Sequence, residues 1–195
     1  MGKVFDGIDA KLAGWIAAQR LFFVGSAPSD GGHVNVSPKG PIESLLILDP
    51  LHVVYLDVIG SGAETIAHLR DNGRICVMLC AFDGPPRIVR LHGRGTVLLP
   101  ADDEYAALYD GFDVPDSFAV DPGARSVITV EVDRVADSCG YGVPLMTYEG
   151  ERTQQVAWVD RKLRQDGTAA LDRYVAEKNA LSIDGLPAID RADVS

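Results

Sequence analysis

What this 195-residue chain lacks narrows its function before any motif is read. It has only three cysteines, Cys76, Cys80 and Cys139, with no CxxC spacing, so neither a disulfide framework nor a zinc site is supported. No stretch of about 20 apolar residues is present. The longest candidate, Ile42 to Ile59, is broken by Glu43, Ser44, Asp49, Pro50, His52 and Asp57. The first residues include Lys3, Asp6 and Asp9, which is not the pattern of a secretory signal. These absences predict a cytoplasmic protein with no membrane partner. Cations are scarce: 18 Lys and Arg face 28 Asp and Glu, for a net charge of −10, which disfavours nucleic acid. GxSxG is missing, and no histidine follows His92, so Cys139 has no neighbouring base and a nucleophilic hydrolase is not indicated.

What is present reads as one globular domain, 47% hydrophobic and 24% charged. Leu12, Trp15, Ile16 and Gln19 share a helical face, which predicts a short helix over 9–19. Leu21 to Ala27, the turn Pro28-Ser29-Asp30-Gly31-Gly32 and Val34 to Val36 predict a hairpin. Strand-like runs follow at Glu43–Leu48 and His52–Val58, then a helix over Ala63–Asn72 ended by Gly73. Arg74–Phe82 and Arg87–Leu99, joined by Asp83-Gly84-Pro85-Pro86, predict a second hairpin, with Cys76 and Cys80 as core thiols. Asp102–Tyr109 reads as helix and Ser126–Val135 as strand. Thr153–Arg164 and Thr168–Lys178 carry helical apolar spacing. Strands in hairpin order with appended helices favour a closed antiparallel β-barrel with flanking helices over a doubly wound sheet. Gly60-Ser61-Gly62-Ala63-Glu64-Thr65 supplies only two of the three glycines of a GxGxxG turn.

Three stretches bear on ligand chemistry. Gly60-Ser61-Gly62 leads into a helix whose free N–H groups attract a phosphate, or it is a plain turn with Glu64 in the favourable first-turn position. His33-Val34-Asn35-Val36-Ser37-Pro38-Lys39-Gly40 reads as a ligand-contacting strand edge or a strand end with a solvated lysine. Arg90, His92 and Arg94 share one strand face with Ile88, as an anion site, a subunit interface or an exposed sheet face. Asn179 to Pro187 reads as an ordered cap with Asp184-Gly185 as its turn.

The segments Leu21-Phe22-Phe23-Val24, His33 to Gly40, Tyr55 to Asn72 and Arg90 to Gly95 resemble the pyridoxamine 5′-phosphate oxidase-like flavoproteins. Cys139 to Pro144 and Asn179 to Pro187 are similar to one subgroup of that family. The resemblance implies a split β-barrel, with the barrel at about 20–135 and a helical C-terminal extension at about 136–195. It also implies a homodimer with FMN in a groove between subunits, acting on a small-molecule substrate. Residue by residue, it implies Asn35, Val36, Ser37 and Lys39 beside the isoalloxazine, and Tyr55, Leu56 and Asp57 near the ribityl chain. Ser61 and Thr65 fall at the phosphate turn. The family's oxidases carry a Ser-Arg-Lys run there, whereas this chain reads Gly62-Ala63-Glu64-Thr65. Neutralisation of the phosphate would then fall to Lys39, Arg70, Arg90 or Arg94. The oxidases' C-terminal Arg-x-His pattern is absent, which leaves the substrate open. The alternatives are a non-enzymatic dimeric barrel for another ligand or partner, or a deazaflavin- or haem-binding relative.

Overall fold

The computed structural model describes residues 2–115, 118 and 122–189; the last six residues of the C-terminal extension and Met1 lie outside them. The described elements are β1 (Val4–Phe5), α1 (Ala10–Ala17), β2 (Phe22–Ser26), β3 (Asn35–Lys39), β4 (Leu45–Asp49), β5 (His52–Val58), α2 (Glu64–Asn72), β6 (Arg74–Cys80), β7 (Ile88–Leu98), α3 (Asp103–Tyr109), β8 (Ala124–Ser138), α4 (Gln154–Asp166) and α5 (Ala169–Lys178). A single turn of 3₁₀-helix at Ile42–Ser44 takes the start of the strand expected from Glu43. Asp9 caps α1, its carboxylate accepting from Leu12 N at 2.7 Å.

Every strand pairing is antiparallel, and the sheet order is β3-β2-β6-β7-β8-β5-β4, with β1 added on β8. Both predicted hairpins form, β2 with β3 and β6 with β7. The barrel does not close: β3 and β4 are the two edges of one sheet. Closure would need those edges to exchange backbone hydrogen bonds, and β3 is instead committed to β2 alone. The sheet nonetheless curls, because one face of β2, β5, β6, β7 and β8 converges on a common core of Phe22, Val24, Tyr55, Val77, Leu79, Leu91 and Ile128. The Phe22 and Tyr55 rings meet edge-on at 5.6 Å although three strands lie between their own. Leu12 and Ile16 of α1, with Val159, Leu171 and Val175 of α4 and α5, pack on the same core. On the outer face Val54, Leu56 and Val127 form a second cluster beneath Tyr105 of α3. Cys80 is buried as expected, Cys76 is half-buried beside the outer sheet face, and Cys139 is exposed.

Helix α2 crosses the top of the sheet and is what positions the candidate site. Gly73 adopts φ 71° and ends it, its N–H donating to Leu69 O at 2.9 Å, a left-handed stop that side chains disfavour. At the other end Ala63 offers no capping side chain, so the first-turn N–H groups face the β5–α2 turn without one.

Candidate functional site

The alternation of β3 follows from its single proline. Pro38 faces Phe23 across the β2–β3 ladder. A proline has no N–H to give, so this is one of the pairs that exchange no hydrogen bonds. The period of two then turns the N–H and C=O of Val36 away from β2, toward the open edge. Side chains there are apolar and exposed, Val34 at 74% and Val36 at 64%. A row of free main-chain donors and acceptors beside apolar side chains can align a flat heterocycle and cover its faces.

This edge forms one wall of an open cleft of about 420 Å³, lined by His33, Val34, Asn35, Val36, Ser61, Gly62, Glu64 and Ile183. The walls come from β3, from the β5–α2 turn and from the C-terminal segment. They meet through a polar network: Asn35 Nδ2 donates to Thr65 Oγ1 at 3.0 Å, and Ser37 Oγ donates to Asn35 Oδ1 at 3.1 Å. Ser26 Oγ is 3.0 Å from His68 Nδ1 behind them. Burial lowers the His68 imidazole below its ordinary value, more than Asp184, Glu64 and Asp71 restore it, so this histidine is neutral. Its Nε2 and the Tyr55 hydroxyl are buried without a hydrogen-bond partner.

The turn is braced from below by a buried ionic cluster. Asp57 Oδ2 accepts from Arg125 Nη2 at 2.6 Å and Nε at 2.9 Å, and Asp57 Oδ1 accepts from Lys39 Nζ at 2.5 Å. Arg125 Nη1 also donates to Gly62 O at 2.8 Å and to Asn179 Oδ1 at 3.0 Å, while Asn179 Nδ2 donates to Gly60 O at 3.1 Å. One guanidinium therefore holds β5, β8, the β5–α2 turn and the end of α5 together. Burial acts to raise the Asp57 carboxyl, but Arg125 and then Lys39 overcome it and bring it down from 3.8 to about 2. A depressed carboxyl stabilises the fold fully above its unfolded value and loses that contribution as pH falls through the folded one. The denaturation midpoint is therefore expected to drop between about pH 4 and pH 2, and a urea series over that range should show a shallower drop in Asp57→Asn.

The residues expected at the site separate into two groups. Asn35, Val36, Ser61 and Thr65 come together around the cleft, with Ser37 joined to them through Asn35. Lys39 is close by, but its ammonium is bound to Asp57 and its side chain is only 20% exposed. Tyr55 points into the main core and Leu56 into the outer cluster, so neither side chain reaches the cleft. Three cations do not converge on it. Arg70 lies in the last turn of α2 and rims a separate cavity of about 590 Å³ with Arg173 and Glu177. Arg94 donates to Asn72 O at 3.1 Å at the far end of that helix. Arg90 donates to Ser138 Oγ at 3.2 Å on the outer sheet face. Strand pairing dictates this: β7 sits between β6 and β8, two strands away from β2 and three from β3.

Arg125 carries no reading from the sequence, whereas His33 was placed in the ligand-contacting strand edge and Asn179 and Asp184 in the C-terminal cap, none of the three with the partners found here. Among the described residues lining the cleft no Lys or Arg appears, and Glu64 turns back over the turn. A Cβ placed on Gly62 would lie 2.3 Å from Glu64 Oε2, so this carboxylate occupies the space beside the uncapped start of α2.

A curled antiparallel sheet that stays open between its edge strands β3 and β4, with flanking helices, is the architecture of a split barrel. The family profile described as pyridoxamine 5′-phosphate oxidase matches residues 8–139, and the chain belongs to that family. It is 40% identical over 198 residues to the pyridoxamine 5′-phosphate oxidase family protein ustO of Aspergillus flavus, a match spanning 96% of this chain and 78% of the relative. Among solved structures it overlaps HupZ of group A Streptococcus at a TM-score of 0.49 and 20% identity, covering 66% of this chain and 91% of that one. A protein from Mesorhizobium loti described as FAD-binding overlaps at 0.47 and 16%, covering 70% and 96%. No described helix is long and apolar enough to cross a membrane.

Proposed function

We propose that this protein binds FMN in the cleft at the open edge of β3 and is a flavin-dependent oxidoreductase acting on a small molecule. The observation that carries the reading is the free edge of β3: outward N–H and C=O groups at Val36, with Asn35 and Ser37 beside them, suit the alternating acceptors and donors of an isoalloxazine rim. Val34 and Val36 supply apolar cover, and Ser61 with the uncapped start of α2 suits the phosphate. When bound, the flavin supplies hydride or electron transfer, while the protein orients it and shields it from water. The exposed Val34, Val36 and Ile183 form an apolar rim, and in this reading a second copy of the chain covers it to complete the groove. The three free thiols suit the reducing cytoplasm.

Purified protein is expected to be yellow and to release FMN on denaturation. A colourless protein that also takes up no added FMN overturns the reading, and a monomer by light scattering removes the dimeric groove. Glu64 favours a second reading, a barrel that has lost its phosphate grip and takes another ligand, deazaflavin and haem included; titration with each of these separates the two. Glu64→Gln removes a carboxylate from the start of α2 and is expected to tighten FMN binding about tenfold. Under the second reading the wild type has no FMN affinity to improve, and equilibrium dialysis of both proteins decides.

A further inference from the structure

We propose that His33, held by Asp184, is a protonation-dependent phosphate anchor of this cleft, standing in for the cations its β5–α2 turn lacks. The inference rests on the flavin reading of the same cleft and adds a residue that this reading does not need.

The geometry is built rather than incidental. Asp184 Oδ1 is 2.7 Å from His33 Nδ1, and Asp184 Oδ2 accepts the His33 backbone N–H at 2.8 Å. One carboxylate thus fixes both the ring and the main chain of a residue 151 positions away. Ser182, itself buried, sets that carboxylate by accepting from the N–H groups of Asp184 and Leu186 at 3.2 and 3.1 Å. Gly185 completes the turn at φ 79°. On the other side Gly32 has φ 72°, and a Cβ there would lie 2.7 Å from Asp184 Oδ2, so the approach needs glycine. The Asp184 carboxyl is pulled below its usual range, first by the His33 backbone N–H and then by the His33 ring, and is ionised. An ionised carboxylate only accepts, so Nδ1 carries the proton and Nε2 is the atom left for a ligand.

The charges around the imidazole define its role. Asp184 comes from the C-terminal turn, Glu64 faces the cleft from the start of α2, and His68 and Asp71 lie further along α2. Lys39 and Arg125 are consumed by Asp57, and among the described residues the lining contains no other group that can become a cation. When protonated, His33 donates from Nε2 to a phosphate oxygen while Asp184 balances the imidazolium on Nδ1. When neutral, Nε2 is a lone pair and repels the same oxygen. Binding of a phosphate dianion is therefore coupled to uptake of a proton, and binding of the phosphate-free flavin is not.

The test is isothermal titration of the full-length protein with FMN and with riboflavin at pH 6.5 and pH 8.5. Phosphate monoesters are mostly dianionic across this interval, so the charge of the ligand itself changes little within it. The wild type is expected to prefer FMN about tenfold at pH 6.5 and to lose most of that preference at pH 8.5, with riboflavin affinity unchanged. His33→Gln should abolish the preference at both pH values, and Asp184→Asn should weaken it at pH 6.5. His33→Lys should keep the preference and remove its pH dependence. A preference that survives His33→Gln, or that is independent of pH in the wild type, overturns the proposal while riboflavin binding leaves the flavin reading standing. If the wild type binds neither flavin at either pH, both fall.

Discussion

Arg125→Met is expected to lower stability by about 3 kcal/mol, which for a chain of this size is a fall in Tm of roughly 10 °C. The effect is large because the guanidinium is the main partner of a fully buried carboxylate. Removing it leaves Asp57 with Lys39 as its one cationic partner and the Ser126 hydroxyl at 3.4 Å, and a broken buried pair costs more than the pair contributes when intact. Three further acceptors lose a donor or a fixed position at once: Gly62 O directly, Asn179 Oδ1 directly, and Gly60 O through Asn179. Two of the three lie in the β5–α2 turn, so flavin affinity should fall with stability. Arg125→Lys should recover little, because one ammonium cannot span Asp57, Gly62 and Asn179 together. The decisive comparison is the double variant Asp57→Asn with Arg125→Met. If the loss comes from an orphaned charge, thermal denaturation should show the double variant more stable than Arg125→Met alone. An Arg125→Met protein within 1 kcal/mol of wild type would show that the cluster is dispensable.

The cluster also shows where sequence reading stops. Both hairpins were legible because Pro28 to Gly32 and Asp83 to Pro86 cannot continue a ladder, and α2 was legible because Gly73 ends an apolar period at the right place. Asp57 was named through the family resemblance, as a residue near the ribityl chain, but its partner Arg125 was not. Arg125 stands at the start of β8, and only the β5–β8 register, which sets Asp57 opposite Ser126, makes the two neighbours. A second isolated charge entering another apolar strand was the available signal. His33 and Asp184 carry no such signal, since nothing local to either says that 151 residues of chain return to that point. The basic row on β7 shows the complementary limit: period-two alternation gives the shared face, while strand order decides what that face meets within the chain, and β7 is central. Closure was misjudged likewise, because an edge is defined by a pairing that does not happen.

That edge sets the second large effect. Val36→Pro is expected to reduce flavin affinity by more than tenfold while shifting Tm by only a few degrees. Proline removes an N–H, and its cost to a sheet depends on where that N–H pointed. Pro38, two residues further along the same strand and in the same phase, already sits in the β2–β3 ladder without breaking it. Val36 therefore gives no ladder bond to lose, and its N–H is the donor that faces the cleft. Ser37→Pro makes the contrast, because it falls in the opposite phase, where the N–H bonds to Val24 across the ladder. It should unfold the β2–β3 hairpin and lower Tm by considerably more than Val36→Pro. Circular dichroism melts with flavin titration of both variants separate the two roles of the strand: a Val36→Pro protein that keeps full flavin affinity would remove the edge of β3 from the binding site, whatever the colour of the wild type.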